Sequence, residues 1–146
     1  MRFFITGILG QLGATIMRML PAGTSSGNYL PEFDITGVEQ VRSAIGAAEP
    51  DVVIHCAAFT DVDGCARDPE KAQLVNATGT RNVATVCAEH GAAMVLLSTN
   101  EVFDGHSDAP YIETDQPAPI NPYGQSKLLA EWHTRELLER YYIVRT

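Results

Sequence analysis

The sequence predicts an α/β fold class, a doubly wound parallel sheet with helices on both faces. Three observations carry that expectation. Short apolar runs alternate with segments of helical periodicity along the whole chain. The clearest runs, Asp51–Ala57 (DVVIHCA) and Ala93–Ser98 (AMVLLS), are apolar on both faces, as strands covered on each side are. The first run leads straight into three glycines, Gly7, Gly10 and Gly13, ahead of a helical segment.

Arg2–Thr6 (RFFIT) reads as a buried strand ending at Gly7. Gln11–Leu20 follows as a helix with Leu12, Ile16 and Leu20 on one face at i, i+4 and i+8. Pro21–Pro31 (PAGTSSGNYLP) is loop chemistry with almost no strand signal, and Glu32–Ile35 is a candidate short strand. Thr36–Ala48 is helical: Thr36 and Glu39 form a capping box, Val38, Val41 and Ile45 face inward, and Pro50 stops it. After the Asp51–Ala57 strand, Pro69–His90 is a long helix with Ala72, Val75, Val83 and Val86 inward and Gly91 as its stop. Ala93–Ser98 is the next strand, and Asp104–Asn121 a polar, proline-rich loop. Asn121-Pro122 opens a helix to about Arg140, since Asn caps and Pro suits the first turn. Tyr142–Arg145 begins a last strand. This βαβα order is that of a Rossmann-like sheet.

At 146 residues the chain is expected to be one dinucleotide-binding domain, residues 1–146. Ten Lys+Arg against 18 Asp+Glu leave a net charge of −8, which repels phosphate backbones and makes nucleic acid and anionic membranes poor partners. An anion would be held by backbone N–H groups at a helix start. Cys56, Cys65 and Cys87 form no CxxC pair and His55, His90, His106 and His133 match no zinc spacing, so no metal site is expected and the thiols read as reduced and cytoplasmic. Residues 3–20 are interrupted by Thr6, Gln11, Thr15 and Arg18, unlike a signal peptide, and no run is long enough for a membrane span.

Gly7, Gly10 and Gly13 can serve a plain turn, but a strand before and a helix after favour phosphate binding. The first allows the tight turn, the second admits a pyrophosphate to the backbone, and the third lets helix and strand pack closely. Tyr123 and Lys127 are i, i+4 neighbours on one helical face. A phenol with pKa near 10 exchanges protons poorly at neutral pH, and an ammonium one turn away, together with a cationic nicotinamide, favours the phenolate. Tyr123 could then pass a proton to a carbonyl oxygen as hydride arrives from a cofactor; a solvated surface pair is the alternative. Ser98-Thr99 ends a buried strand, where ligands of open α/β sheets sit. Asp34 stands 27 residues after Gly7, a loose match to the ribose-binding acid expected about 20 residues on.

The pieces ITGILGQLG, DVVIHCAAFTDVD, VNATGTRN, STNEVFDG, ETDQPAPINPYGQSK and IVRT, in that order, resemble the extended short-chain dehydrogenase/reductases, and within them the dTDP-4-dehydrorhamnose reductase family. The resemblance covers nearly the whole chain and implies the N-terminal, cofactor-binding half, with the substrate domain missing. It implies NADPH or NADH as cofactor and a dTDP-sugar as small-molecule substrate; a homodimer is the candidate assembly. By position it makes Tyr123 the proton donor and Lys127 its pKa-lowering partner and nicotinamide-ribose contact. Thr99 becomes the hydroxyl that tunes the tyrosine and touches the sugar. Gly10, Gln11 and Leu12 would hold the pyrophosphate, Asp34 and Ile35 would lie against the adenine, and Ala58, Phe59 and Thr60 would line the nicotinamide side. Asn76 matches a buried helix asparagine that props the active site. Asn100 and Glu101 replace the family's Asp–Tyr pair in the sugar site, so Asn100 is a substrate-binding candidate of altered chemistry. Pro21–Pro31 stands where the family has a full second strand, so the choice between NAD and NADP is not readable.

The function expected is NAD(P)H-dependent reduction of the 4-keto group of a dTDP-deoxysugar, in dTDP-L-rhamnose synthesis. The alternatives are a nucleotide-sugar epimerase or dehydratase of the same superfamily, and a non-catalytic dinucleotide-binding module or fragment.

Overall fold

The structure, a computed structural model, describes residues 1–146. Its strands are β1 (Phe3–Thr6), β2 (Ser25–Asn28), β3 (Val52–His55), β4 (Ala93–Ser98) and β5 (Tyr141–Arg145). They form one sheet in the order β2-β1-β3-β4-β5, and every neighbouring pair is parallel. The helices are α1 (Gln11–Met19), α2 (Val38–Ala48), α3 (Val62–Arg67), α4 (Pro69–Ala72), α5 (Gly79–His90) and α6 (Pro122–Leu137). A π-helical turn, Gln73–Thr78, joins α4 to α5. The doubly wound, Rossmann-like α/β architecture is therefore present.

Register explains the layers. Phe4, Val53, Met94 and Tyr141 lie in one cross-strand row, and Thr6, His55, Leu96 and Ile143 in another two residues on. Alternation points both rows to the same face. There they meet Val41 and Ile45 of α2, Val83, Val86 and Cys87 of α5, and Ala130 of α6, which make the main core with Phe4, Val53, Met94 and Leu96. Each such fully buried aliphatic side chain contributes about 1.5–3 kcal/mol. Arg42 of α2 forks onto Glu89 of α5 at 3.0 Å, tying the outer ends of that layer. α1 packs chiefly on β1, and right-handed crossovers put it on the opposite face. No helix is long and apolar enough to cross a membrane.

The sequence-based boundaries need six corrections. Ser25–Asn28, expected to be loop, is an edge strand, polar because only one side has a pairing partner. Gly27 is required there, since a Cβ would meet the Ile5 carbonyl oxygen and the Ile8 side chain. Glu32–Ile35 is turn and coil rather than a strand. The Thr36/Glu39 capping box does not form: α2 starts after Gly37 with no side-chain cap. Asp34 instead organises the entry, its Oδ1 accepting from Thr36 N at 2.9 Å while its own N–H donates to Gln40 Oε1 at 2.9 Å. The Pro69–His90 helix is continuous in path but wound as a π-turn at its middle. α3, capped by the Asp61 carboxylate accepting from Gly64 N at 2.9 Å, was not anticipated at all. The last helix ends at Leu137 rather than near Arg140, and Gly91, at φ 64°, stops α5 as expected.

Candidate functional site

Strand order reverses between β1 and β3, the switch point at which open α/β sheets form a crevice beyond their carboxyl ends. Gly7 follows β1 there at φ +73°, a left-handed conformation that suits glycine. A Cβ on it would stand 3.0 Å from Ala57 Cα. A Cβ on Gly13 would drive into the Gly7 carbonyl oxygen, so the turn and the first turn of α1 can close only on glycine. Gly10 is the N-cap of α1, with no side chain in front of the helix start. Free backbone N–H groups and the positive end of the helix dipole therefore face the crevice.

Two adjoining cavities share Gly7, Gly10, Cys56 and Ala58. One, of about 440 Å³, is walled by Tyr29, Leu30, Phe33, Asp34 and Ile35. The other, of about 380 Å³, is walled by Gln11, Leu12, Gly13, Thr60, Tyr123 and Lys127. The cleft is largely apolar at the first end, glycine-lined in the middle and bordered by Tyr123 and Lys127 at the second. An adenosine end, a pyrophosphate and a nicotinamide end fit that sequence of surfaces. A further cavity beside β5, of about 350 Å³, is lined by Phe103, Tyr111, Arg135 and Arg145 and contains none of the predicted residues.

Asn121 builds the start of α6 as the sequence suggests: its Oδ1 accepts from Gly124 N at 2.8 Å, with Pro122 in the first turn. Its Nδ2 donates to Glu101 Oε2 at 2.6 Å, and Gly124 lies so close to the Glu101 carbonyl oxygen that no Cβ fits. The helix and the Thr99–Phe103 segment are thus locked together, with Tyr123 between them. Burial raises the Tyr123 phenol above its ordinary value; the Thr99 hydroxyl pulls it down and the Glu101 charge pushes it up. Lys127 is 3% exposed, and its Nζ donates to the Leu97 carbonyl at 2.6 Å. Burial brings its pKa down to about 8, against the pull of Glu131 and Cys56. In the chain by itself burial governs the phenol, and the Lys127 ammonium is held by the Leu97 carbonyl.

The other predicted residues divide. Thr99 is buried, its Oγ1 accepting from Glu101 N at 3.2 Å, and the cavity wall at that strand end is Ser98. Asn100 is exposed at the start of a 3₁₀ turn, its N–H on the Thr146 carbonyl at 3.0 Å. Phe59 lines neither cavity; its ring lies under Lys71 Nζ at 4.7 Å and its backbone is clamped by Asn76. Asn76 is fully buried in the π-turn, its Oδ1 accepting from Phe59 N at 2.7 Å while its Nδ2 donates to Phe59 O and Ser126 Oγ, each at 3.0 Å. Glu131 was missed: the Ser98 hydroxyl donates to its Oε1 at 2.6 Å, and Arg145 forks onto the same carboxylate at 2.9 and 2.7 Å. The only available signal was a glutamate four residues after Lys127, on the inward face of the helix.

Fold and cleft together define a Rossmann-like protein of the short-chain dehydrogenase/reductase type. The chain belongs to the RmlD substrate binding domain family, whose profile matches residues 1–146. It is 36% identical to the dTDP-4-dehydrorhamnose reductase of Escherichia coli K12, over all of this chain and 50% of that protein. It is 40% identical to the "Probable low-salt glycan biosynthesis reductase Agl14" of Haloferax volcanii, over 92% of this chain and 49% of that protein. The crystal structure of dTDP-4-dehydrorhamnose reductase from Bacillus anthracis, in complex with NADP, superposes with a TM-score of 0.93 at 39% identity. It covers 99% of this chain, which covers 52% of it. The chain therefore spans about half the length of the relatives it matches.

Proposed function

We propose that this chain is the cofactor-binding half of an NAD(P)H-dependent reductase acting on the 4-keto group of a dTDP-deoxysugar. The observation that carries the reading is that Tyr123 and Lys127 open onto the same cavity as the glycine turn. A dinucleotide held by Gly7, Gly10, Gln11, Leu12 and Gly13, with Asp34 and Ile35 at its adenosine end, would supply a hydride to a carbonyl carbon. Tyr123 then gives its phenolic proton to the carbonyl oxygen, and Thr99 orients that phenol. Lys127 stands one turn away as the positive charge of the site, within reach of a ribose hydroxyl. The family membership and the NADP complex of the Bacillus anthracis relative support the cofactor. The names of the bacterial relatives support the substrate class.

Thermal-shift titration with NADH and with NADPH tests the binding step, and oxidation of the reduced cofactor with a dTDP-4-keto-6-deoxy sugar tests turnover. Absence of a melting shift with either cofactor overturns the reading. A shift without turnover leaves a dinucleotide-binding module, the second reading. Where turnover is present, Tyr123→Phe should abolish it and keep the cofactor-induced shift.

A further inference from the structure

The histidine of the DVVIHCA strand takes no part in the proposed chemistry, yet it is buried at 1% exposure directly beneath the crevice. Its Nδ1 lies 2.7 Å from Thr6 Oγ1 and its Nε2 3.0 Å from Thr80 Oγ1. Each hydroxyl has a further partner that fixes where its single proton goes. Thr80 donates to the Asn76 carbonyl at 2.6 Å, so its oxygen must accept from the imidazole. Nε2 therefore carries the proton and Nδ1 is the bare acceptor, to which Thr6 donates while accepting from Ala57 N at 3.1 Å. The opposite tautomer leaves the short Thr80–Asn76 contact without a proton. The imidazolium leaves the Thr6 hydroxyl with no acceptor. Burial and the nearby Lys127 ammonium act in the same direction, lowering the histidine pKa to about 3.

One directed chain of protons thus runs from Ala57 N–H through Thr6, His55 and Thr80 to the Asn76 carbonyl. Both ends matter to the cleft. Ala57 is the residue against which the Gly7 turn packs, at 3.0 Å from a Cβ position on that glycine. Asn76 holds Phe59 and, through Ser126 Oγ, the Tyr123 carbonyl, to which Ser126 donates at 2.7 Å. We infer that His55, as a neutral Nε2–H tautomer, is a positioning residue that couples the glycine turn to the helix carrying Tyr123 and Lys127. A side chain that only filled space at this point would not set proton direction. An imidazole with one donor and one acceptor at opposite corners does, and it holds the π-turn carbonyl and the strand-end amide in fixed relation.

The inference rests on the cofactor-cleft reading for its functional half, and the test separates the two. Imidazole ¹⁵N NMR of the 146-residue chain should show a protonated Nε2 and a bare Nδ1 for His55, unchanged from about pH 5 to pH 8. A protonated Nδ1, or titration in that range, overturns the wire whatever the cofactor does. NADPH titration then compares three folded proteins at a temperature below each unfolding midpoint. His55→Leu, which can neither donate nor accept, should weaken NADPH binding on the order of tenfold, as small misplacements of a site do. His55→Gln, which keeps one donor and one acceptor, should recover most of that loss. Leu and Gln variants that both bind NADPH within twofold of the parent, however destabilised, overturn the positioning role. Failure of the parent itself to bind would instead overturn the cleft reading and leave the tautomer result standing.

Discussion

Asn76 donates from Nδ2 to Ser126 Oγ at 3.0 Å across the gap between the π-turn and α6, and Ser126 hands its own proton to the Tyr123 carbonyl. The π-turn explains how a helical asparagine reaches that far. Widening the helix at Gln73–Thr78 turns the Asn76 side chain toward Phe59 and α6. Asn76→Ala leaves the Phe59 N–H, the Phe59 carbonyl and Ser126 without these partners. Removing one side of a buried polar contact costs about 1–3 kcal/mol, so the variant should lose at least that much in urea unfolding. A loss below about 0.5 kcal/mol would mean that the network does not hold the site.

Two glycines separate the cost of backbone conformation from the cost of space. Gly91 has φ 64° and nothing within 4 Å of a Cβ, whereas Gly124 is helical but has the Glu101 carbonyl oxygen in the Cβ position and Pro119 Cβ at 3.0 Å. Gly91→Ala should cost about 1 kcal/mol, the penalty of a left-handed alanine. Gly124→Ala forces the Thr99–Phe103 segment off α6 and should cost about 3 kcal/mol. It should also weaken cofactor binding, which Gly91→Ala leaves intact. Equal unfolding midpoints for the two variants would contradict the packing seen at Gly124.

What the sequence made legible follows from where its signals are local. The glycine triplet, the Asn121-Pro122 start and the two apolar strands each announce themselves within a few residues, and the structure places them as read. Ser25–Asn28 was opaque because an edge strand paired on one side needs no apolar run, and its glycine answers to Ile5 and Ile8, distant in sequence. Glu131 and His55 were opaque for a related reason. A buried glutamate reads as a surface helix residue until Arg145 and Ser98 are seen around it, and a strand histidine reads as filler until both threonines are in place.

Glu131 should make the fold acid-sensitive. Its carboxylate is fully buried; burial alone would raise its pKa, but Arg145 and the Ser98 hydroxyl outweigh that and hold it below the ordinary value. A carboxylate lowered in the folded state adds stability above its unfolded pKa of about 4.3 and loses it as pH falls through the lower folded value. Glu131→Gln keeps the size but leaves the Arg145 fork unmatched, and should cost about 3 kcal/mol at pH 7. The gap between parent and variant should narrow below about pH 4, as urea midpoints across that range would register. A gap that stays constant into acid would remove Glu131 as its source.

Lys127 gives the opposite dependence. Its folded pKa of about 8 lies below the 10.4 of an unfolded lysine, so between those values the unfolded chain holds a proton that the folded chain has released. Stability attributable to this residue therefore rises with pH through that window, and below about pH 8 the buried ammonium penalises the fold by about 3 kcal/mol. Lys127→Met removes the charge and also the donation to the Leu97 carbonyl, a contact worth about 1 kcal/mol, so the variant should be about 2 kcal/mol more stable at pH 7. That advantage should shrink between about pH 8 and pH 10. The same variant should lose turnover where the parent has it, because the charge that costs stability is the one the proposed site uses. Paired urea titrations at pH 7 and about pH 9.5 decide the matter: a methionine variant less stable than the parent at both would show that the lysine is held there for packing rather than against it.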